Sequence, residues 1–72
     1  MLNARLRLVS TTNNDIKQFE GTVGTIEMRN GRETFVLSDG LGFSFSPKKK
    51  NVFNGNIVVE TRNSVYVFEQ VR

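Results

Sequence analysis

The residues of this chain best suited to chemistry are cations, and the densest group is Lys48, Lys49 and Lys50, directly after Pro47. Adjacent like charges are relieved only by solvent or by an anion. The run could therefore neutralise about two or three phosphates of a nucleic acid, each contact steepening the salt dependence of binding. The alternative is a solvated loop whose lysines keep a sheet edge from pairing with another chain.

Three arginines could extend a basic surface. Arg5 and Arg7 are two positions apart, so a strand projects both from one face, where they could straddle phosphates or bind a partner's carboxylate. The alternative, equally favoured, is that they only keep the outer face of the strand solvated. Arg62 lies with Asn63 and Ser64 in a short polar segment between apolar runs, a hairpin tip where binding residues often occur. Turn chemistry explains Asn63 without any ligand.

The aromatic residues divide into two groups. Phe43 and Phe45 alternate with small residues and could stack on bases, an interaction worth about 1–3 kcal/mol per base. In so short a chain we expect them instead on the buried face of a strand. Phe53 lies in the polar segment 51–56, where it either plugs one end of the fold or is an exposed anchor for a protein partner.

Catalysis has little support in the sequence. The chain contains no His and no Cys, so the usual proton shuttle and the thiolate nucleophile are missing. Its seven carboxylates are scattered, with no adjacent pair that would shift a pKa, and only Asp15, Glu20 and Asp39 lie near predicted loops. We therefore predict a protein that is not an enzyme and that has no cofactor and no metal site.

Strand patterns dominate the chain, and no apolar stripe has helical spacing. Asn30-Gly31 predicts a type I′ hairpin turn, Asp39-Gly40 a second turn, and the segment 51–56 a loop or one turn of tight helix. We expect Tyr66 and Phe68 on the core face of the last strand. The segments with strand character are 4–9, 19–28, 35–37, 41–46, 57–61 and 65–68.

The segment 19–28 changes parity, because Phe19 and Val23 point to one side and Ile26 and Met28 to the other. The switch falls at Gly21 and Gly24, and a glycine inside a strand pattern is typical of a bulge or sharp bend. Bends of this kind close small barrels.

Residues 6–39 resemble the first half of an Sm-like domain. The resemblance rests on the segments 6–8, 19–23, 26–27 and 35–39, with Gly21 in a bent strand and the acidic Glu27 six positions later. It implies a barrel related in shape to Src-homology-3 domains. Asn30-Gly31-Arg32 lengthens the turn that should carry that family's RNA-binding Asn, so the resemblance implies the barrel type and not the ring or the RNA pocket.

The fold prediction is therefore all-β: a single small, strongly bent antiparallel β-barrel of five to six short strands, Src-homology-3-like or Sm-like in type, over residues 1–72. Turns at close spacing favour such a fold, and closure hides the edges that a flat sheet would expose. The core of a chain of 72 residues rarely supplies more than about 3–5 kcal/mol of stability.

Two function classes follow. In the first, a non-enzymatic module contacts nucleic acid through Lys48–Lys50, Arg5, Arg7 and Arg62, in keeping with a formal net charge of +3. In the second, a small adaptor or inhibitor, encoded by a phage or mobile element, docks on a protein through a sheet edge or Phe53. Edge pairing could also assemble several copies.

With no long apolar run and no cysteine, we predict a cytoplasmic protein without a membrane span.

Overall fold

The computed structural model describes residues 5–71, and these form one antiparallel sheet. The all-β prediction is confirmed. A short 3-10 turn, Lys17–Phe19, precedes the second strand. The strands are β1 Arg5–Thr11, β2 Val23–Arg29, β3 Arg32–Leu37, β4 Gly42–Phe45, β5 Lys49–Phe53, β6 Asn56–Glu60 and β7 Val65–Val71.

The strand order is β4-β3-β2-β1-β7-β6-β5, so β4 and β5 form the two ends of the sheet although they follow each other in the chain. Every neighbouring pair is antiparallel, and consequently β4 and β5 run in the same direction. A ladder between them would be parallel and would require a crossover of roughly a dozen residues. Only residues 46–48 connect them.

Closure into a barrel of five to six strands is therefore not confirmed: the sheet has seven strands and remains open between β4 and β5. The physical reason is the odd strand number, since a ring of antiparallel neighbours needs an even one. The sheet nevertheless curls strongly, because Phe45 of β4 packs against Tyr66 and Phe68 of β7, with ring centroids 5.6 and 6.1 Å apart.

Two Asn-Gly turns shape the hairpins. Asn30 and Gly31 have φ of 53° and 76°, which confirms the hairpin turn predicted between β2 and β3. Asn54 and Gly55 have φ of 50° and 81° and join β5 to β6 in the same way. The prediction of a loop or tight helical turn at 51–56 is wrong, because this turn folds residues 49–53 back onto β6.

The core is a cluster of aromatic and branched side chains on the concave face. Phe43 and Phe45 belong to it, which confirms their assignment to a buried strand face. The centroids of the Phe43 and Phe45 rings lie 5.4–6.1 Å from those of neighbouring aromatic rings, the range of favourable aromatic packing. The buried members of the core cluster are Leu6, Leu8, Phe35, Phe43, Phe45, Val59, Tyr66 and Phe68.

The predicted strand 19–28 is wrong at its start. Phe19 is the last residue of the 3-10 turn Lys17–Phe19, and β2 begins only at Val23. Between them, Gly21 has a φ of +89°, which is not a strand conformation. Gly24 has the close contact expected of a glycine in a bent strand: a Cβ there would lie 2.2 Å from the carbonyl oxygen of Val36. Among the described strand pairs, the register shifts in the pairing of β1 with β7, between Leu8 and Ser10 of β1.

Candidate nucleic-acid interface

The three lysines do not form one cluster. Lys48 lies in the connection before β5, whereas Lys49 and Lys50 open that strand. Successive strand residues face opposite sides of a sheet. Lys50 pairs with Val59, a residue of the buried face, so Lys49 projects from the convex face instead. The predicted positive loop is therefore a strand edge, and its charge is divided between two faces.

Lys50 is already paired. Its ammonium group donates a hydrogen bond to the carboxylate of Glu33 in β3, whose side chain is only 17% exposed. A cation held by an internal carboxylate contributes less to an external phosphate, because binding would first have to break that pair. Of the lysine run, Lys48 and Lys49 are thus the better candidates.

Arg5 and Arg7 lie on the convex face of β1, as their spacing predicts, but away from the lysines. β7 and β6 separate β1 from β5, which places the two groups about 14 Å apart at ~4.8 Å per strand. The guanidinium of Arg7 donates to Glu69 Oε1 at 2.6 Å. Arg5 lines a shallow groove of about 570 Å³ that also contains Glu27 and Asp39. Acidic neighbours in both places make these arginines poor partners for phosphate.

Arg62 has a different environment. It lines a depression of about 240 Å³ between the outer edge of β4 and the turn that joins β6 to β7. Arg32, the first residue of β3, lines the same depression. We call this site the arginine depression; its lining is Asn13, Arg32, residues 44–46, residues 61–64 and Tyr66.

The lining of the arginine depression is rich in hydrogen-bond donors, and none of its described residues is acidic. Two guanidinium groups with hydroxyl and amide donors around them suit a phosphate, which accepts bidentate hydrogen bonds from arginine. Neither Arg32 nor Arg62 has a carboxylate oxygen within 4.0 Å among residues 5–71. Both charges are therefore available to an anion.

The turn that presents Arg62 is held by its own hydrogen bonds. The backbone N–H of Thr61 donates to the carbonyl of Ser64 at 2.8 Å, and the N–H of Ser64 donates to Thr61 Oγ1 at 3.1 Å. Arg62 and Asn63 form the tip between these residues. A rigid tip loses less conformational entropy when a ligand binds.

The floor of the depression is also fixed in place. Tyr66 is buried in the core, and its hydroxyl accepts a hydrogen bond from Asn13 Nδ2 at 3.0 Å. Asn13 is in turn held by its backbone N–H, which donates to Thr11 Oγ1 at 3.0 Å. Within residues 5–71 the Tyr66 hydroxyl donates no hydrogen bond of its own, so its proton can point to a ligand.

Arg32 and Asn13 are the site residues that the sequence did not indicate. Arg32 in β3 lies directly opposite Arg29 in β2, so the hairpin sets two like charges beside each other. Arg29 turns to Glu27, with 3.2 Å between Nη2 and Oε1, whereas Arg32 lines the depression. The Asn30-Gly31 turn between them was the available signal, because it sets the two arginines opposite each other.

Phe53 is the last residue of β5 and is 66% exposed, so it does not plug the interior. Its neighbour Val52 is 76% exposed on the opposite face of the strand. Together they give the β5–β6 hairpin an apolar tip. No group of three or more metal-ligating side chains is found in the described part of the chain.

Comparisons with models of protein families, with curated proteins and with solved structures returned no match for this chain. The resemblance of residues 6–39 to Sm-like domains accordingly stays a prediction. Within residues 5–71 no helix is long and apolar enough to cross a membrane.

Proposed function

We propose that this protein is a non-enzymatic module that binds nucleic acid through the arginine depression and the adjoining Lys48 and Lys49. The observation that carries the proposal is the pair Arg32 and Arg62, whose charges line one depression that has no acidic residue in its described lining. Phosphates supply the affinity of most such complexes, and Arg is suited to them by its planar fork of donors.

The basic surface follows the chain from the depression into β5. Ser46 lines the depression, and Lys48 comes two residues later, with its backbone N–H bonded to the carbonyl of Glu60 at 2.8 Å. Lys49 lies opposite Glu60 in the register, which offsets part of its charge. Lys48 is therefore the stronger of the two contributors.

The proposal is tested by fluorescence anisotropy with a labelled oligonucleotide of mixed sequence. The double variant Arg32→Ala/Arg62→Ala should weaken binding at least about tenfold at low salt, since each charge-assisted contact is worth about 1.5–3 kcal/mol. Its matched control is Arg5→Ala/Arg7→Ala, which removes the same charge from the convex face of β1 and should change affinity less than threefold.

The salt dependence provides a second criterion. For a single strand, log K should fall against log salt with a slope of about −0.7 per phosphate contact, so loss of two contacts should flatten it by about 1.4. Equal effects of both double variants would show that net charge alone drives binding. Absence of any complex at low salt would reject the proposal.

A second function, docking on a protein, is favoured by the outer edge of β5, which is unpaired in the described part of the chain, beside the exposed Val52 and Phe53. An extended segment of a partner, or a second copy of this chain, could pair with that edge. A stoichiometric protein partner that co-purifies after nuclease treatment would support this function. Light scattering would detect assembly of copies. The proposed origin in a phage or mobile element belongs to this second hypothesis, whereas the cytoplasmic location is proposed for either function.

A further inference from the structure

The arginine depression does not include Phe53, the aromatic residue at the end of β5. Phe53 is 66% exposed. By contrast, Phe19, Phe35, Phe43, Phe45, Tyr66 and Phe68 belong to the core cluster or pack against it. An exposed Phe loses the free energy that its burial would provide. The flat ring of Phe53 lies at the end of a strand that begins with two lysines, and it offers a face on which a base could stack.

The position of Phe53 relative to the cations is set by the register of the hairpin. Lys49 pairs with Glu60, and Phe53 pairs with Asn56 at the other end. Lys49, Asn51 and Phe53 are spaced by two residues and so share the convex face. Four residues at ~3.4 Å each separate Lys49 from Phe53 by about 14 Å.

The whole of β5 is exposed, from Lys49 to Phe53, and no strand within residues 5–71 pairs with its outer edge. Its five residues span about 17 Å. At the ~3.4 Å rise per nucleotide of one stacked strand, this length corresponds to about five nucleotides, and an extended strand needs fewer. Single-strand sites on small β-folds begin at about 4 nucleotides.

We propose that the convex row of β5 is a single-strand binding track, with phosphates at the arginine depression and at Lys48 and Lys49, and with a base stacked on Phe53. This inference rests on the proposed function and names its substrate class. Duplex bases are stacked on each other and cannot cover Phe53 without being unpaired, so the ring selects for unpaired strands. Asn51, between cation and ring, has donors and an acceptor within reach of a base edge.

A tryptophan probe at the ring tests the stacking directly. The chain contains no Trp, so Phe53→Trp introduces a single reporter whose fluorescence a stacked base quenches. The matched control is Met28→Trp, at a residue that is also 66% exposed but lies in β2. With an eight-nucleotide oligothymidylate, the Phe53→Trp emission should be quenched at saturation, and the Met28→Trp emission should not change.

Affinities provide the decisive comparison. Phe53→Ala should weaken oligothymidylate binding at least about fivefold and leave binding to an intramolecular duplex hairpin unchanged, while Phe53→Tyr retains single-strand affinity. Met28→Ala, with the same exposure, should have no effect. Phe53 is exposed, so none of these variants is expected to unfold the protein.

The outcomes separate this inference from the function on which it rests. If Phe53→Ala binds oligothymidylate within twofold of the wild type while Arg32→Ala/Arg62→Ala does not, the track is wrong and the phosphate site stands. If the wild type binds neither single strand nor duplex at low salt, both are wrong. If Phe53→Ala abolishes self-association seen by light scattering but not oligothymidylate binding, the ring is a protein contact and the track is again wrong.

Discussion

The ammonium group of Lys50 in β5 is ion-paired with the carboxylate of Glu33 in β3, although these strands belong to opposite ends of the open sheet. The pair links the two ends of the sheet, which no backbone ladder joins among residues 5–71. It also separates Lys50 from the two lysines before it, whose charges have no carboxylate partner within 4.0 Å among the described residues.

The first prediction concerns the unequal roles of these lysines. Lys48→Ala should reduce oligonucleotide affinity more than Lys50→Ala does, because the Lys50 charge is already compensated. Anisotropy titrations of both variants at one salt concentration measure the difference. Glu33→Gln is the complementary change: it frees Lys50 and should raise affinity, at a cost of about 1–3 kcal/mol in unfolding free energy because the Glu33 side chain is largely buried. Identical affinities for all three proteins would contradict the division of the lysine run.

Gly24 sets a steric limit on the sheet. An alanine Cβ at this position would lie 2.2 Å from a backbone carbonyl oxygen that cannot rotate away. Gly24→Ala should therefore cost about 3 kcal/mol or more, comparable with the whole stability of so small a core. Urea unfolding followed by circular dichroism measures this cost. Gly21→Ala is the control: it has open space and only the strain of φ +89°, about 1–2 kcal/mol. Equal destabilisation would refute the close contact.

The two kinds of phenylalanine should respond oppositely to truncation. Phe68 is fully buried and packs on Phe35 with ring centroids 5.0 Å apart, so Phe68→Ala should cost about 3–5 kcal/mol and leave the chain largely unfolded. Phe53→Ala should change the unfolding free energy by no more than about 0.5 kcal/mol. Thermal unfolding of both variants decides the point, and a marked loss of stability in Phe53→Ala would mean that its ring is covered in the native protein.

Tyr66 is buried in the core, and we propose that its hydroxyl also contributes to binding. Tyr66→Phe removes the hydroxyl that accepts from Asn13 and should cost about 0.5–1.5 kcal/mol in stability. If the hydroxyl proton also donates to a bound phosphate, oligonucleotide affinity should fall by about 2- to 10-fold at a temperature where the variant is folded. Lower stability with unchanged affinity would assign Tyr66 to the fold alone.

Local sequence patterns determined much of the secondary structure. The alternation at 41–46 predicted the buried Phe43 and Phe45, and Asn30-Gly31 predicted its turn, because side-chain parity and positive φ are properties of a few adjacent residues. The patterns failed at 51–56, where an equally good Asn-Gly turn stands in a polar context. The strand before it, β5, is exposed throughout and therefore lacks the alternation that burial imposes.

Only the tertiary structure decided how the elements combine. The sheet stays open because seven antiparallel neighbours cannot close a ring, and strand number and direction are properties of the whole chain. The same holds for the candidate site: Arg32 and Arg62 are thirty residues apart and line one depression only because β4 curls toward the β6–β7 turn. Charge is encoded residue by residue, but whether a cation is free or already paired depends on which strands the fold brings together.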